Sequence, residues 1–145
     1  MQMAFRFEFD PANRFLLARL EGRVTEGSVA ECHWAARKYS TATRARASIV
    51  DFSSATEFAL SHGFLQALAK EPALNGLMRP CFIVAPTDYG FGLARKFQIE
   101  GENLRPSLDV IHTIDEAAGG SRHSITTLRA FGVRSLITEV ARNVE

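Results

Sequence analysis

Apolar and polar residues alternate at the start of the chain: Met3, Phe5, Phe7 and Phe9 fall on one side, Arg6, Glu8 and Asp10 on the other. A repeat of two predicts a strand with one face against a core. Asp10-Pro11-Ala12-Asn13 then marks a turn, since Pro presets a turn dihedral and Asp and Asn bond back to nearby backbone. Phe15 to Leu20 predicts a second strand, with Leu16, Ala18 and Leu20 on one face and Arg19 on the other. Strands joined this closely pair antiparallel.

The period then lengthens. Thr25 is placed to cap a helix running to about Tyr39, in which Val29, Cys32, His33, Ala35, Ala36 and Tyr39 share one broad face. Trp34 falls on the opposite side, near Ala30 and Lys38. Ala47 to Phe52 and Cys81 to Ala85 are short, mostly apolar runs that suit parallel strands covered on both faces. Between them a helix is expected near His62 to Lys70, with Ser61 as its cap and Leu60 and Leu65 as a hydrophobic staple. Pro72 and Asn75-Gly76 close that segment. Thr87 caps a third helix from Asp88 to about Glu100, carrying Phe91, Leu93, Ala94 and Phe97. Leu108 to Ile114 alternates again, with Leu108, Val110, His112 and Ile114 inward and Asp109 and Thr113 outward, as in a strand near an edge.

The order ββαβαβαβα predicts an α/β fold: a mixed five-stranded sheet whose antiparallel N-terminal hairpin leads into right-handed βαβ units. Phe5, Phe7, Leu16, Ile49, Val50, Phe82, Val84 and Val110 are its expected core. Residues 1–118 form this domain, and after the Ala118-Gly119-Gly120-Ser121 break residues 119–145 read as a helical C-terminal extension.

The chain has 145 residues, 46% apolar, with 17 Lys+Arg against 16 Asp+Glu. That supports one domain with a real core and excludes a disordered or collagen-like chain. A net charge of +1 supplies no bulk attraction to nucleic acid or an anionic membrane. Of the basic residues 14 are Arg, a bias that genome base composition explains far better than phosphate recognition does. Cys32 and Cys81 read as reduced core thiols of a cytoplasmic protein, and no secretion signal or membrane span is visible.

Asp51-Phe52-Ser53 ends the third strand, and Leu60-Ser61-His62-Gly63 opens the next helix. This order of elements and these two motifs resemble the STAS-like family of sulphate transporters and anti-sigma-factor antagonists, in which Asp-Leu-Ser ends that strand and Asp-Ser-Ser-Gly carries a phosphorylatable serine. Val84-Ala85-Pro86 followed by Tyr89-Gly90-Phe91-Gly92-Leu93-Ala94-Arg95 is similar to a divergent bacterial group of that family. The resemblance covers roughly residues 3–118. It implies a regulatory or protein-interaction module built around Asp51, Ser53, Ser54, Ser61 and His62. Because His62 stands where the regulatory serine would be and Leu60 replaces the acid, it implies a module without the usual phosphorylation switch.

The residues themselves carry little chemistry. Gly90-Phe91-Gly92-Leu93-Ala94-Arg95 opens a helix after a strand, but Arg95 takes the third glycine's place and the motif falls late in the fold, so a dinucleotide is not expected. The bland reading is that both glycines let the helix approach the sheet. Thr87, Tyr89, Gly90 and Arg95 remain a candidate contact for a small ligand or anion at that helix end. His33, His62, His112 and His123 lack metal-ligand spacing, no Gly-x-Ser-x-Gly elbow is present, and the hydroxyls of Ser53, Ser54, Thr56 and Ser61 suit loop and cap duties. No cofactor, metal or enzymatic activity is expected. Two readings follow: an interaction module, with Trp34 in a self-association surface of a two-fold dimer, or alternatively a carrier or sensor of a small apolar or amphipathic, lipid-like ligand. A tightly packed interior favours the first, and a pocket of several hundred Å³ lined by Phe favours the second.

Overall fold

A computed structural model describes residues 5–11, 14–71 and 80–113. Strands β1 (Phe5–Asp10) and β2 (Phe15–Thr25) are followed by helix α1 (Glu26–Thr43), β3 (Ala47–Ala59), α2 (His62–Ala69), β4 (Cys81–Val84), α3 (Asp88–Glu100) and β5 (Leu108–Ile111). The sheet runs β1-β2-β3-β4-β5, in order of sequence. β1 pairs antiparallel with β2, and every later pair is parallel. Ser48, Cys81 and Leu108 lie level at the amino-terminal edge of the parallel strands. The mixed sheet, the hairpin and the neighbouring parallel runs at 47–52 and 81–85 are as the pattern predicts. The turn at Pro72 and Asn75-Gly76, Ile114, His123 and the helical extension of 119–145 lie outside the described residues.

Each helix starts where a side chain can satisfy a first-turn amide. Thr25 Oγ1 accepts from Ser28 N at 3.1 Å while Ser28 Oγ accepts from Thr25 N at 3.0 Å, a reciprocal capping box. Ser61 Oγ accepts from Phe64 N and Thr87 Oγ1 from Gly90 N, each at 3.1 Å. α1 outruns its expected end at Tyr39 because the stop is Arg44, in the left-handed region at φ 55° with its N–H on Ser40 O. No Gly or Asn announces that stop.

β3 also overruns expectation. It continues past Phe52 to Ala59, paired with β2 throughout, so Ser53, Ser54 and Thr56 are exposed strand residues and not a loop. The register slips between Arg19 and Glu21 and again between Gly22 and Arg23, each slip placing an extra residue in β3. Gly22 takes φ +70° at this point, which a side chain would resist. The irregularity erases the period of two, which is why the segment reads as a loop from sequence.

The two sheet faces differ. Leu16, Ala18 and Leu20 of β2 join clusters with Ala36 and Cys32 of α1, while Ile83 of β4 and Leu108 of β5 join one with Ala94 of α3. On the opposite face Leu17, Ile49, Phe82, Val84 and Ile111 are also buried. Polar pairs interrupt that face: Arg6 with Glu21, and Arg19 Nε with Asp51 Oδ2 at 3.1 Å. Among the expected core residues Leu16, Ile49, Phe82 and Val84 are buried, whereas Phe5, Phe7, Val50 and Val110 are only half-buried. Phe5, Phe7 and Val110 fall short because β1 and β5 are the sheet edges. Tyr39 departs from the expected apolar face of α1 and is 49% exposed, its ring resting against Phe7.

The paired glycines of α3 are not equivalent. A Cβ on Gly90 would lie 3.0 Å from the Phe58 ring and from Thr87 Oγ1, whereas one on Gly92 would meet nothing within 4 Å. Only Gly90 serves close approach to the sheet, which corrects the expectation for Gly92. Gly92→Ala is expected to stabilise the domain by about 1 kcal/mol through helix propensity. Gly90→Ala is expected to destabilise it by about 1 kcal/mol or more through overpacking. Urea denaturation of the two variants beside wild type checks both signs.

Candidate functional site

α1 packs on β1 and β2, α3 packs on β5, and α2 leans on α3. The space left between the helices and the sheet is a cavity of about 110 Å³. Its floor is Ala18 and Leu20 of β2, Val50 and Phe52 of β3, and Ile83 of β4. Val29, Cys32 and Ala36 of α1 form one wall; Leu65 and Leu68 of α2 and Leu93 and Phe97 of α3 form the other. The void exists because α1 presents small side chains, Cys32 and Ala36, while α2 is only 8 residues long. Its volume is below the several hundred Å³ of a drug-sized site and approaches the ~150 Å³ of apolar cavities that admit one benzene ring.

The two ends of the cavity differ in chemistry. At the carboxyl-terminal edge of the strands lie Phe58, Leu60 and Gly90, with Phe52 and Phe58 in tilted ring contact at 5.6 Å. At the amino-terminal edge lie Cys81, Arg105 and Ser107. Arg105 is 8% exposed. Its Nη1 donates to Ala69 O at 2.7 Å, and its Nη2 donates to Glu71 O at 2.8 Å and Leu68 O at 3.3 Å. The guanidinium lies 4.6 Å above the Phe97 ring. It therefore satisfies the carbonyls of Ala69 and Glu71 at the negative end of α2 and adds a donor to Leu68 O, which already accepts from Glu71 N at 3.0 Å. Burial pushes its pKa down, opposed by the nearby Cys81 and Glu71.

Both thiols reach this cavity. Burial pushes Cys32 up to about 12. Cys81 is raised by the same cause, against the opposing pull of the Ser48 hydroxyl and Arg105. Neither thiol is a nucleophile near neutral pH.

The residues singled out from sequence do not converge on the cavity. Asp51 is buried on the opposite sheet face, held by Arg19, and its Oδ1 accepts from Ser53 N at 2.9 Å. Ser53, Ser54 and His62 are exposed. Ser61 caps α2 as expected and its backbone N donates to Glu26 Oε2 at 2.8 Å, tying α2 to α1. Thr87 and Gly90 stand together at the start of α3, and Tyr89 beside them is 61% exposed, its ring 6.3 Å from Phe58. Arg95 lies more than a turn further along, exposed, donating to Gln98. Gly90 alone of these residues lines the cavity. Trp34 is 60% exposed with Lys38 Nζ 4.3 Å from its ring centre. His112 lies just beyond β5 and stacks on Phe91 at 3.9 Å.

Arg105 is the residue that sequence reading overlooked. It sits among Asn103, Pro106 and Ser107 in a segment that signals only a turn. Gly101 leaves it room, since an added Cβ there would lie 2.9 Å from Arg105 Nη1 and from Ala69 O. Among the described residues no three of His, Cys, Asp and Glu are grouped to hold a metal ion, and no helix is long and apolar enough to cross a membrane. Compared with known protein families and with curated proteins, the chain matches none.

The raised Cys32 pKa has a consequence for stability. Below its ordinary 9.0 the thiol is protonated in both folded and unfolded chains; between 9.0 and about 12 only the unfolded chain releases the proton. Stability contributed by Cys32 is therefore complete below pH 9.0 and declines as pH rises toward about 12. The decline is at most about 1.4 kcal/mol per pH unit. Urea midpoints between neutral pH and pH ~11 are expected to fall less steeply in Cys32→Ala than in wild type. Parallel slopes would show that this thiol does not contribute.

Proposed function

We propose that this domain is a non-enzymatic binding module of STAS-like fold that takes a small apolar or amphipathic molecule into the space between its helices and its sheet. The observation that carries this reading is an apolar cavity of about 110 Å³, smaller than the several hundred Å³ first expected of such a site, walled mostly by aliphatic and Phe side chains with His33 and the buried cation Arg105 also in its lining. Pockets with mostly apolar walls and a few placed polar groups are the usual form of small-molecule sites. The size favours a ligand with about one ring or a short chain in the cavity.

Toluene is a suitable first probe. At ten times its dissociation constant it is expected to raise stability by about 1.4 kcal/mol, a shift of about 3–6 °C in Tm. Leu93→Trp, which places a ring in the cavity, should remove the shift. Differential scanning calorimetry reads both, and a wild-type Tm indifferent to toluene would contradict the reading.

A protein-interaction role through α1 is the second reading, favoured by one observation: the 60% exposure of Trp34. Trp is enriched at interface centres, and its removal there often costs ~2 kcal/mol or more. The Lys38 ammonium already covers one side of the ring, which gives Trp34 a partner within the chain. Sedimentation at high micromolar concentration is expected to show a dimer that Trp34→Ala weakens. A monomeric wild type, or a variant that dimerises equally well, rules this out.

A further inference from the structure

We infer that the cavity selects a small amphipathic acid, whose carboxylate is received by Arg105 and whose tail lies toward Phe52 and Phe58. This rests on the reading of the cavity as a binding site and adds the chemical class of its occupant.

The first ground is a buried cation in direct contact with carbonyls alone among the described residues. Arg105 is more than nine-tenths buried and lines the cavity, yet among the described residues no carboxylate lies within 4.0 Å of it. Glu71 offers it a backbone carbonyl, and the Glu71 carboxylate, 3.9 Å from Arg37, supports its charge only from beyond ion-pair distance. Buried cations are normally compensated by an anion as well as by hydrogen bonds. Three carbonyls take three of the N–H groups of Arg105, out of the five that a guanidinium carries. The donors not used by these carbonyls suit a ligand oxygen, and a bond from an ionised donor to an ionised acceptor is stronger than one to a neutral oxygen.

The second ground is the placement of this cation. Cys81, Ser107 and Leu108 fix Arg105 at the amino-terminal edge of the parallel strands, and Phe58 and Leu60 close the opposite edge. A molecule entering this space meets a cation at one end and rings at the other, which is the polarity of an amphipathic acid. An amine in the same pose would place like charges together, and an alcohol would give the cation no direct anionic partner. The seat is also tight: Gly101 admits the guanidinium because any Cβ would strike Nη1 at 2.9 Å.

Three probes of one chain length separate the possibilities on the full wild-type chain: hexanoate, 1-hexanol and hexylamine, titrated by calorimetry at neutral pH. Hexanoate is expected to bind about tenfold or more tighter than 1-hexanol, with hexylamine weakest. The side-chain Nε–H resonance of Arg105 is expected to move with hexanoate and not with the alcohol. Leu93→Trp should abolish hexanoate binding, which separates the cavity from adsorption at surface arginines. Arg105→Gln should erase the preference for the acid; if that variant does not fold, the probe order and the Arg105 resonance in wild type decide. Equal or tighter binding of 1-hexanol, with the Arg105 resonance unmoved, would overturn the inference and leave the cavity reading standing. Failure of all three probes in a chain that also ignores toluene would remove both.

Discussion

The guanidinium of Arg105, buried beneath the end of an 8-residue helix, is the contact on which the architecture around the cavity depends. A helix so short is not stable by itself, and its last carbonyls have no partners within it. α2 also cannot rest fully on the sheet, because the space beneath it is open. Its buried Leu65 and Ala69 pack inward and it leans on α3, and polar ties fix its ends: Arg105 gathers the carbonyls of Leu68, Ala69 and Glu71, and Glu26 of α1 holds the amide of Ser61 at the other end. Leu65 and Leu68 then hang over the cavity instead of filling it.

That space has an energetic consequence: its apolar lining is only partly covered by the protein, and an occupant that covered it would gain contacts and release water. The opposite face of the sheet shows the contrary arrangement: apolar side chains are buried there, and the charges of Arg19 and Asp51 are matched across β2 and β3. The asymmetry places the chemistry of interest under the helices and leaves Asp51, the acid first suspected, as a strand-pairing residue.

How far the chain could be read in advance follows from which interactions are local. Capping is local, so Thr25, Ser61 and Thr87 revealed the three helix starts among the described residues. Period-two alternation is local too, so β1 and the first part of β2 were legible. β3 beyond Phe52 was not, because the bulges opposite Gly22 break the alternation and Ser53, Ser54 and Thr56 resemble a loop. The end of α1 was hidden by Arg44, an uncommon residue for a left-handed stop. Arg105 was invisible for a deeper reason: its role depends on carbonyls more than thirty positions earlier, and no spacing or motif encodes such a meeting. The cavity is likewise a relation among elements, since Cys32, Phe52 and Leu93 belong to separate patterns that meet only in the folded chain.

The most direct test of the void is crystallography on xenon-pressurised crystals, because xenon enters dry apolar cavities without requiring polar contacts. Xenon is expected between Phe52 of β3 and Leu93 of α3, with α2 unmoved and the Arg105 bonds to Leu68, Ala69 and Glu71 intact. An interior without xenon, with Phe58, Leu65 and Leu93 packed together across the same space, would contradict the claim that this domain is built around a cavity.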